Sequence, residues 1–439
     1  MTKTVDVDVL GIGFGPANIA TAIAIEELGV DVSAVFLERR PGPSWQSAMM
    51  LDGSDIQHNA VRDLALPRNP RSRYTFLNYL FEHERLFEYL NVGLPFPLRK
   101  DYARYVIWAA EQFAGQVRYG SSVTTLDTVT EAGEDLVEAT LADGSVIRAR
   151  AAVVAPGRAP RIPAVFQGVD DPRVFHLTDY LNRVGELARI ERPRVAVIGG
   201  SQSAVELTID LNKRLQYVPG AEVHNIMRGF GYRQKDLSPF TNEVFYPSFI
   251  DYFYDSSEQS KRELSEELRF TNYSAADSDV IQALYTTMYE QGLDGDNRIK
   301  LVRNTAIESC AVEPDGITLR LREVHRGTVD QERFDAIVLA TGFVDLTDVQ
   351  GEQFLPTVLS GIAPKVGRTE SGHAMVGREY ELGAAPGGTL PPIYLNGLCE
   401  TTHGLGDAGS FSLLSLRATT IAESLAKVFT SLKTTAAGA

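Results

Sequence analysis

Residues 5–18 read Val-Asp-Val-Asp-Val-Leu-Gly-Ile-Gly-Phe-Gly-Pro-Ala-Asn. Val5, Val7 and Val9 alternate with Asp6 and Asp8, the period of a strand, and glycines follow at once. Residues 16–28 are rich in Ala, Ile, Leu and Glu and predict a helix, with Pro16 where its missing N–H does no harm. Residues 32–37 form a second β-type run that ends in Glu38. Strand, turn, helix and strand over about 30 residues make a βαβ crossover. The turn is Gly11-x-Gly13-x-Gly15-Pro16, which carries proline where the dinucleotide fingerprint usually has its last glycine. Glycines allow the tight turn and let backbone N–H groups approach a pyrophosphate, and the helix N-terminus adds positive potential. Glu38 stands where a carboxylate accepts ribose hydroxyls. A dinucleotide site is therefore expected at Gly11, Gly13, Gly15, Pro16 and Glu38, with a purely structural turn as the plain alternative.

The pattern recurs nearly 190 residues later. Residues 194–198 predict a strand, Gly199-Gly200-Ser201-Gln202-Ser203-Ala204 a looser glycine turn, then a helix to about Leu211 and a strand over 222–227. No acid closes this second unit. Arg228 does, followed by Arg233 and Lys235. A cation at the ribose position suits a 2′-phosphate, hence NADPH rather than NADH, held by Gly199, Ser201, Gln202, Ser203 and Arg228. Two further strands, 151–155 and 336–339, end in Pro156-Gly157 and Ala340-Thr341-Gly342, each closing a nucleotide-binding sheet. Residues 237–291 differ, being aromatic and helical, with Phe245, Tyr246, Phe249, Tyr252, Phe253 and Tyr254. Residues 432–439 are Thr/Ala/Gly-rich and are expected to fray.

The expected fold is α/β, with two Rossmann-like dinucleotide-binding domains and a small helical substrate domain. Residues 1–188 and 345–439 are assigned to an FAD-binding domain, 189–236 and 300–344 to an NADPH-binding domain, and 237–299 to the helical insertion. The 439 residues suit two or three domains. A net charge of −15 argues against a nucleic-acid partner. No apolar run approaches the roughly 20 residues of a membrane span, and residues 1–8 carry no leader pattern, so a cytoplasmic protein is expected. Cys310 and Cys399 form neither a redox pair nor a metal cluster, so no metal is expected. Two dinucleotide sites without a cysteine pair point to a flavin reduced by NADPH. A reductase and a monooxygenase remain open, and a disulfide reductase is disfavoured.

Further blocks carry a resemblance. They are Gly11–Asn18, Ser44-Trp45-Gln46 through Met49-Met50, Arg73-Tyr74-Thr75-Phe76-Leu77-Asn78-Tyr79-Leu80 and Gly200-Ser201-Gln202-Ser203-Ala204. Ser238-Pro239-Phe240-Thr241-Asn242-Glu243-Val244-Phe245, Thr271-Asn272-Tyr273-Ser274, Ala340-Thr341-Gly342-Phe343 and His403-Gly404-Leu405 complete the set. Over almost the whole chain this resembles the microbial flavin-dependent N-hydroxylating monooxygenases, the L-ornithine and L-lysine hydroxylases of siderophore-type pathways. The resemblance implies FAD and NADPH, a flavin C4a-hydroperoxide formed with molecular oxygen, and attack on it by a neutral terminal amine. It places Gln57 beside the flavin ring as a catalytic residue and Trp45, Thr341 and Gly342 at the cofactors. It sets Arg228 against the NADP 2′-phosphate. Asn242 and Asn272 would hold the substrate, Asn272 with a catalytic part. Arg62 stands where the family has a carboxylate-gripping lysine, and arginine offers a planar two-pronged donor instead. The segment 406–412, with Ser412 at its end, is longer than in the family and faces the substrate there.

L-Ornithine is the expected substrate, with L-lysine or a diamine as alternatives. An NADPH oxidase or reductase without oxygenation and a non-catalytic nucleotide-binding regulator are the other classes open. Relatives form dimers or tetramers, so a homo-oligomer is expected. His403 and His58 are ambiguous single residues, His403 read first as packing.

Overall fold

Strand β1 (Val7–Ile12) begins two residues later than expected and runs through Gly11 into Ile12. Its neighbours explain this: Gly11 and Ile12 stay in parallel register with Phe36 and Leu37 on one side and with Val153 and Val154 on the other. The chain breaks register at Gly13, whose φ is +83°. These features come from a computed structural model that describes residues 5–131, 133–346 and 353–438. Residues 1–4, part of the segment expected to carry no leader pattern, and Ala439 of the tail lie outside the described residues.

Three sheets form among the described residues. The first is seven-stranded, with β2 (Ala34–Glu38), β3 (Val117–Tyr119), β4 (Val123–Glu131), β5 (Glu134–Leu141) and β6 (Val146–Val154) joining β1 in the order β3-β2-β1-β6-β5-β4. A late strand, Ile393–Leu395, adds in parallel to β6. β4 and β5, which the sequence reading missed, run antiparallel to each other, and β5 pairs antiparallel with the start of β6, whose end is the strand expected at 151–155. The core of this body joins β1, β2 and β6 to Ile19, Ile23 and Ala24 of the helix Pro16–Leu28, and to Ala418, Ile421 and Leu425 of the helix Leu414–Gly438. That last helix carries through the tail expected to fray.

The second sheet is five-stranded and parallel. β7 (Val174–His176), β8 (Arg194–Ile198), β9 (Glu222–Ile226), β10 (Ile299–Val302) and β14 (Ala336–Leu339) stand in the order β10-β9-β8-β14-β7. β7 corrects one boundary: residues 174–176, placed with the first body in the 1–188 assignment, hydrogen-bond to β14 as an edge strand of the second sheet. The reason is that the chain has already crossed over by Pro160, which bridges Phe343 just beyond the end of β14. Between β10 and β14, β11 (Thr305–Glu313), β12 (Gly316–Glu323) and β13 (Val329–Phe334) form an antiparallel three-stranded sheet. Its Ile317, Leu319 and Phe334 pack on Ile198, Ile337 and Leu339. Helix Gln202–Leu215 covers the other face through Leu207 and Leu211. Residues 237–299 contain the helices Pro247–Asp255, Glu258–Glu267 and Ser278–Leu293. No helix among the described residues is long and apolar enough to cross a membrane.

Candidate active site

The two glycine turns solve one packing problem in the same way. A Cβ at Gly13 would sit 2.4 Å from the Ala155 carbonyl oxygen, and one at Gly199 (φ +146°) would sit 2.4 Å from that of Ala340. Each turn is then tied by a buried asparagine amide. Asn18 Nδ2 donates to the carbonyls of Gly13 at 2.8 Å and Val153 at 3.2 Å. Asn225 Nδ2 donates to those of Val197 and Gly199, both at 3.0 Å. Asn225 escaped the sequence reading, because nothing in a strand sequence marks which asparagine reaches sideways.

The third glycine has another use. A Cβ at Gly15 would meet nothing within 4 Å, and Gly15, Pro16 and Ala17 line a cavity of about 2400 Å³. Gly15 caps the helix without a side-chain hydrogen bond, so the first-turn N–H groups face that space. Glu38 also lines it, one oxygen accepting from the Phe14 N–H at 2.9 Å and the other from the Arg40 N–H at 2.9 Å. The same cavity takes in Gly199, Ser201, Gln202, Ser203, Arg228, Thr341 and Gly342. Single-ligand pockets run to about 1,000 Å³, so the volume suits two extended ligands.

Several expected residues are already engaged. Gln202 accepts from the Asp277 N–H at 2.8 Å and donates to Glu206 at 3.0 Å. Thr341 Oγ1 donates to the Arg161 carbonyl at 2.6 Å, fastening the crossover. Arg228 is exposed at the cavity edge, whereas Arg233 stacks on Phe270 at 4.5 Å. Lys235 turns inward, where burial lowers its pKa against the pull of Asp277 and Asp55.

Between the turns, Trp45, Gln57, His58, Asn272 and Phe411 line the cavity. Gln57 holds a left-handed backbone, φ +61°, fixed by its N–H to Asp55 at 2.8 Å. A non-glycine residue in this region marks local strain, which clusters at functional sites. Arg99 steadies that loop, donating to the Met49 and Asp55 carbonyls and pairing with Glu206 of the second body at 3.0 Å. Asn272 Nδ2 donates to the Leu405 carbonyl at 3.2 Å. Arg62 and Ser412 come together, Nη1 to Oγ at 3.0 Å, with the guanidinium 5.5 Å from the Phe245 ring. Neither they nor Asn242 lines the cavity. Asn242 donates to the Ser238 carbonyl of its own turn at 3.0 Å. His403 is packed, stacked on Tyr380 at 4.0 Å.

The sequence reading missed a buried charged cluster at the crossover. Arg158 pairs with Asp345 at 3.1 Å and with Glu400 at 3.6 Å, and the Tyr273 hydroxyl donates to Glu400. Burial works against the charge on Arg158, but Tyr273, Glu400 and Asp345 outweigh it and raise its pKa. Burial raises Glu400 to about 7 against the opposing pull of Arg158 and Tyr273. An acid whose folded pKa is raised contributes stability that is full below its unfolded value and lost as pH rises through about 7. Wild type should therefore lose stability relative to Glu400→Gln between pH 5 and pH 8, by up to a few kcal/mol at about 1.4 per unit. Thermal unfolding of both proteins across that range checks it. A difference that does not change with pH means Arg158 keeps Glu400 charged throughout.

Two sheets, each with a glycine turn opening on one shared cavity, define a protein with two Rossmann-type dinucleotide folds facing a common site. Residues 6–345 match the L-lysine 6-monooxygenase/L-ornithine 5-monooxygenase family, and the chain belongs to that family of flavin-dependent N-hydroxylating monooxygenases. It is 38% identical over 409 residues to an L-ornithine N(5)-monooxygenase of Burkholderia cepacia, covering 90% of this chain and 89% of that one. The reduced form of an ornithine hydroxylase from Pseudomonas aeruginosa superposes with a TM-score of 0.86 at 35% identity, over 96% of this chain and 99% of that one. A Kutzneria sp. 744 ornithine N-hydroxylase, solved with reduced FAD, NADP⁺ and L-ornithine, gives a TM-score of 0.87 at 32% identity with the same coverage.

Proposed function

We propose that this enzyme N-hydroxylates the side-chain amine of L-ornithine, using FAD at the first glycine turn and NADPH at the second. The observation that carries this is the single cavity joining both turns, with Gln57 and Asn272 between them. The residues fit the cofactors. Gly15 leaves open space at an uncapped helix start for a pyrophosphate, and the Glu38 oxygens each keep a lone pair for ribose hydroxyls. Bound flavin, reduced by NADPH, supplies oxygen activation. The chain's own work is holding and shielding. The first body would bind FAD, the second NADPH, and residues 237–299 the substrate side. Gln57 would fix the flavin ring and Trp45 its surroundings. Asn272 would hold the amino-acid end and NADP, as amide groups both donate and accept.

The test is product, not cofactor loss. Purified enzyme with FAD, NADPH and oxygen should form hydroxylamine from L-ornithine in preference to L-lysine and putrescine. NADPH oxidation that yields only hydrogen peroxide with every amine would replace the hydroxylase with an oxidase. A diamine substrate is the second reading, favoured by one observation: Arg62 is bonded to Ser412 and does not line the cavity.

Arg228 tests the second site. A guanidinium pairs well with a phosphate, but this one is exposed, so the effect is moderate. Arg228→Ala should raise the KM for NADPH about 3- to 10-fold, a loss of about 0.7–1.4 kcal/mol, and leave that for NADH within twofold. Equal losses with both cofactors would place the 2′-phosphate elsewhere.

A further inference from the structure

The His58 ring stands in an aromatic box at the cavity wall. Its centroid lies 5.5 Å from Tyr102 and 5.3 Å from Phe411, and Trp45 meets Phe411 edge-on at 5.4 Å. Nδ1 lies 3.1 Å from the Asn59 carbonyl, a pure acceptor, so the proton sits on Nδ1 and Nε2 keeps a lone pair. Nε2 is buried and has no hydrogen-bond partner. Burial, reinforced by Arg62 and Lys235 and only partly offset by the Asn59 carbonyl, lowers the pKa to about 4, so the ring is neutral at physiological pH. A buried acceptor without a donor is rare and has a cause. Here the ring lines the cavity next to Gln57, and its cover is Phe411, carried on the segment 404–412 that contains Gly404, Gly406 and Gly409.

We propose that His58 orients the substrate: its Nε2 accepts a hydrogen bond from an N–H of the amine to be hydroxylated, which displaces Phe411 on entry. The consequence is directional. With one N–H committed to the imidazole, the nitrogen lone pair faces away from His58 and toward the rest of the cavity. A neutral Nε2 accepts from an amine or an ammonium alike, and it is burial together with the positive charges of Arg62 and Lys235 that disfavours a cation here and so favours the neutral amine. The aromatic walls exclude the water that would otherwise hold the amine protonated. Given that the enzyme is an amine hydroxylase, His58 thus sets the geometry of attack rather than the affinity of the far end.

The test uses FAD-loaded enzyme, calorimetric binding of L-ornithine and of L-norleucine, which replaces the terminal amine by a methyl group, and product formed per NADPH consumed. A neutral hydrogen bond contributes about 0.5–1.5 kcal/mol, or roughly 2- to 13-fold. His58→Phe should weaken L-ornithine binding by about 3- to 10-fold, leave L-norleucine binding unchanged, and divert NADPH oxidation from hydroxylamine to hydrogen peroxide. His58→Gln, which keeps an acceptor at similar reach, should restore most of the product yield. If His58→Phe does not fold, His58→Leu against His58→Gln makes the same comparison. Equal loss for both ligands, lower flavin content, or unchanged product yield in the apolar variants would overturn the proposal while the hydroxylase stands. Failure of wild type to hydroxylate any amine would remove the hydroxylase assignment, and this inference with it.

Discussion

Gly13→Ala should purify colourless, and Gly15→Ala should purify folded but short of flavin. The two glycines are two residues apart and fail for different reasons. Gly13 needs φ +83°, and its Cβ would be pressed within 2.4 Å of the Ala155 carbonyl, a backbone atom that cannot swing aside. The left-handed conformation alone costs a side chain roughly 1–2 kcal/mol. The clash adds to that by separating the turn from the end of β6, which Asn18 holds through Val153 at 3.2 Å. Gly15 has an ordinary φ of −85° and open space around it, so alanine there leaves the strand and helix intact. Its methyl group would instead occupy the cavity where the proposed FAD pyrophosphate would lie. Gly13→Ala should therefore lose both thermal stability and at least nine-tenths of its bound flavin. Gly15→Ala should unfold within a few degrees of wild type yet bind FAD at least tenfold more weakly. Flavin absorbance per protein, read beside thermal unfolding, separates the cases. A Gly15→Ala protein as yellow as wild type would mean that the first turn is not the flavin site.

The contrast between these glycines also shows what a sequence can and cannot convey. Residues 5–38 were legible because alternation, glycines, helix composition and a closing acid all lie within one crossover, where local rules govern. The second turn was legible for the same reason. The antiparallel strands β4–β5 and β11–β13 were not. Their outward faces are polar or exposed, as in β11 with most of its residues partly or fully exposed, so their apolar signal is thin. β7 is only three residues long, too short for a period to register. The charged cluster is a contact of residues 158, 273, 345 and 400, and no local pattern could join positions so far apart. Sequence similarity to the family marked Arg62, Asn242 and Ser412, yet only the folded chain shows Asn242 tied into its own turn and Arg62 bound to Ser412.

Arg62 should nevertheless decide between an amino acid and a diamine. Its guanidinium is half-buried, and burial lowers its pKa, so it gains from any carboxylate brought to it. Ser412 at 3.0 Å is a neutral partner, and a carboxylate is the stronger acceptor for the same fork. The segment bearing Ser412 also bears Phe411, so displacing one moves the other, and the carboxylate end and the amine end of a substrate would engage together. A charge-assisted hydrogen bond contributes about 1.5–3 kcal/mol, which is roughly 10- to 150-fold. Wild type should thus hydroxylate L-ornithine that much more efficiently, in kcat/KM, than putrescine, which has the same terminal amine and no carboxylate. Arg62→Ala should bring the two substrates within about threefold of each other, by lowering the value for L-ornithine rather than raising that for putrescine. Arg62→Lys should restore only part of the preference, because an ammonium cannot present two parallel N–H donors. If wild type uses putrescine as well as L-ornithine, or if Arg62→Ala leaves their ratio unchanged, then Arg62 serves only to hold Ser412 in place, and the diamine becomes the substrate that this cavity was shaped for.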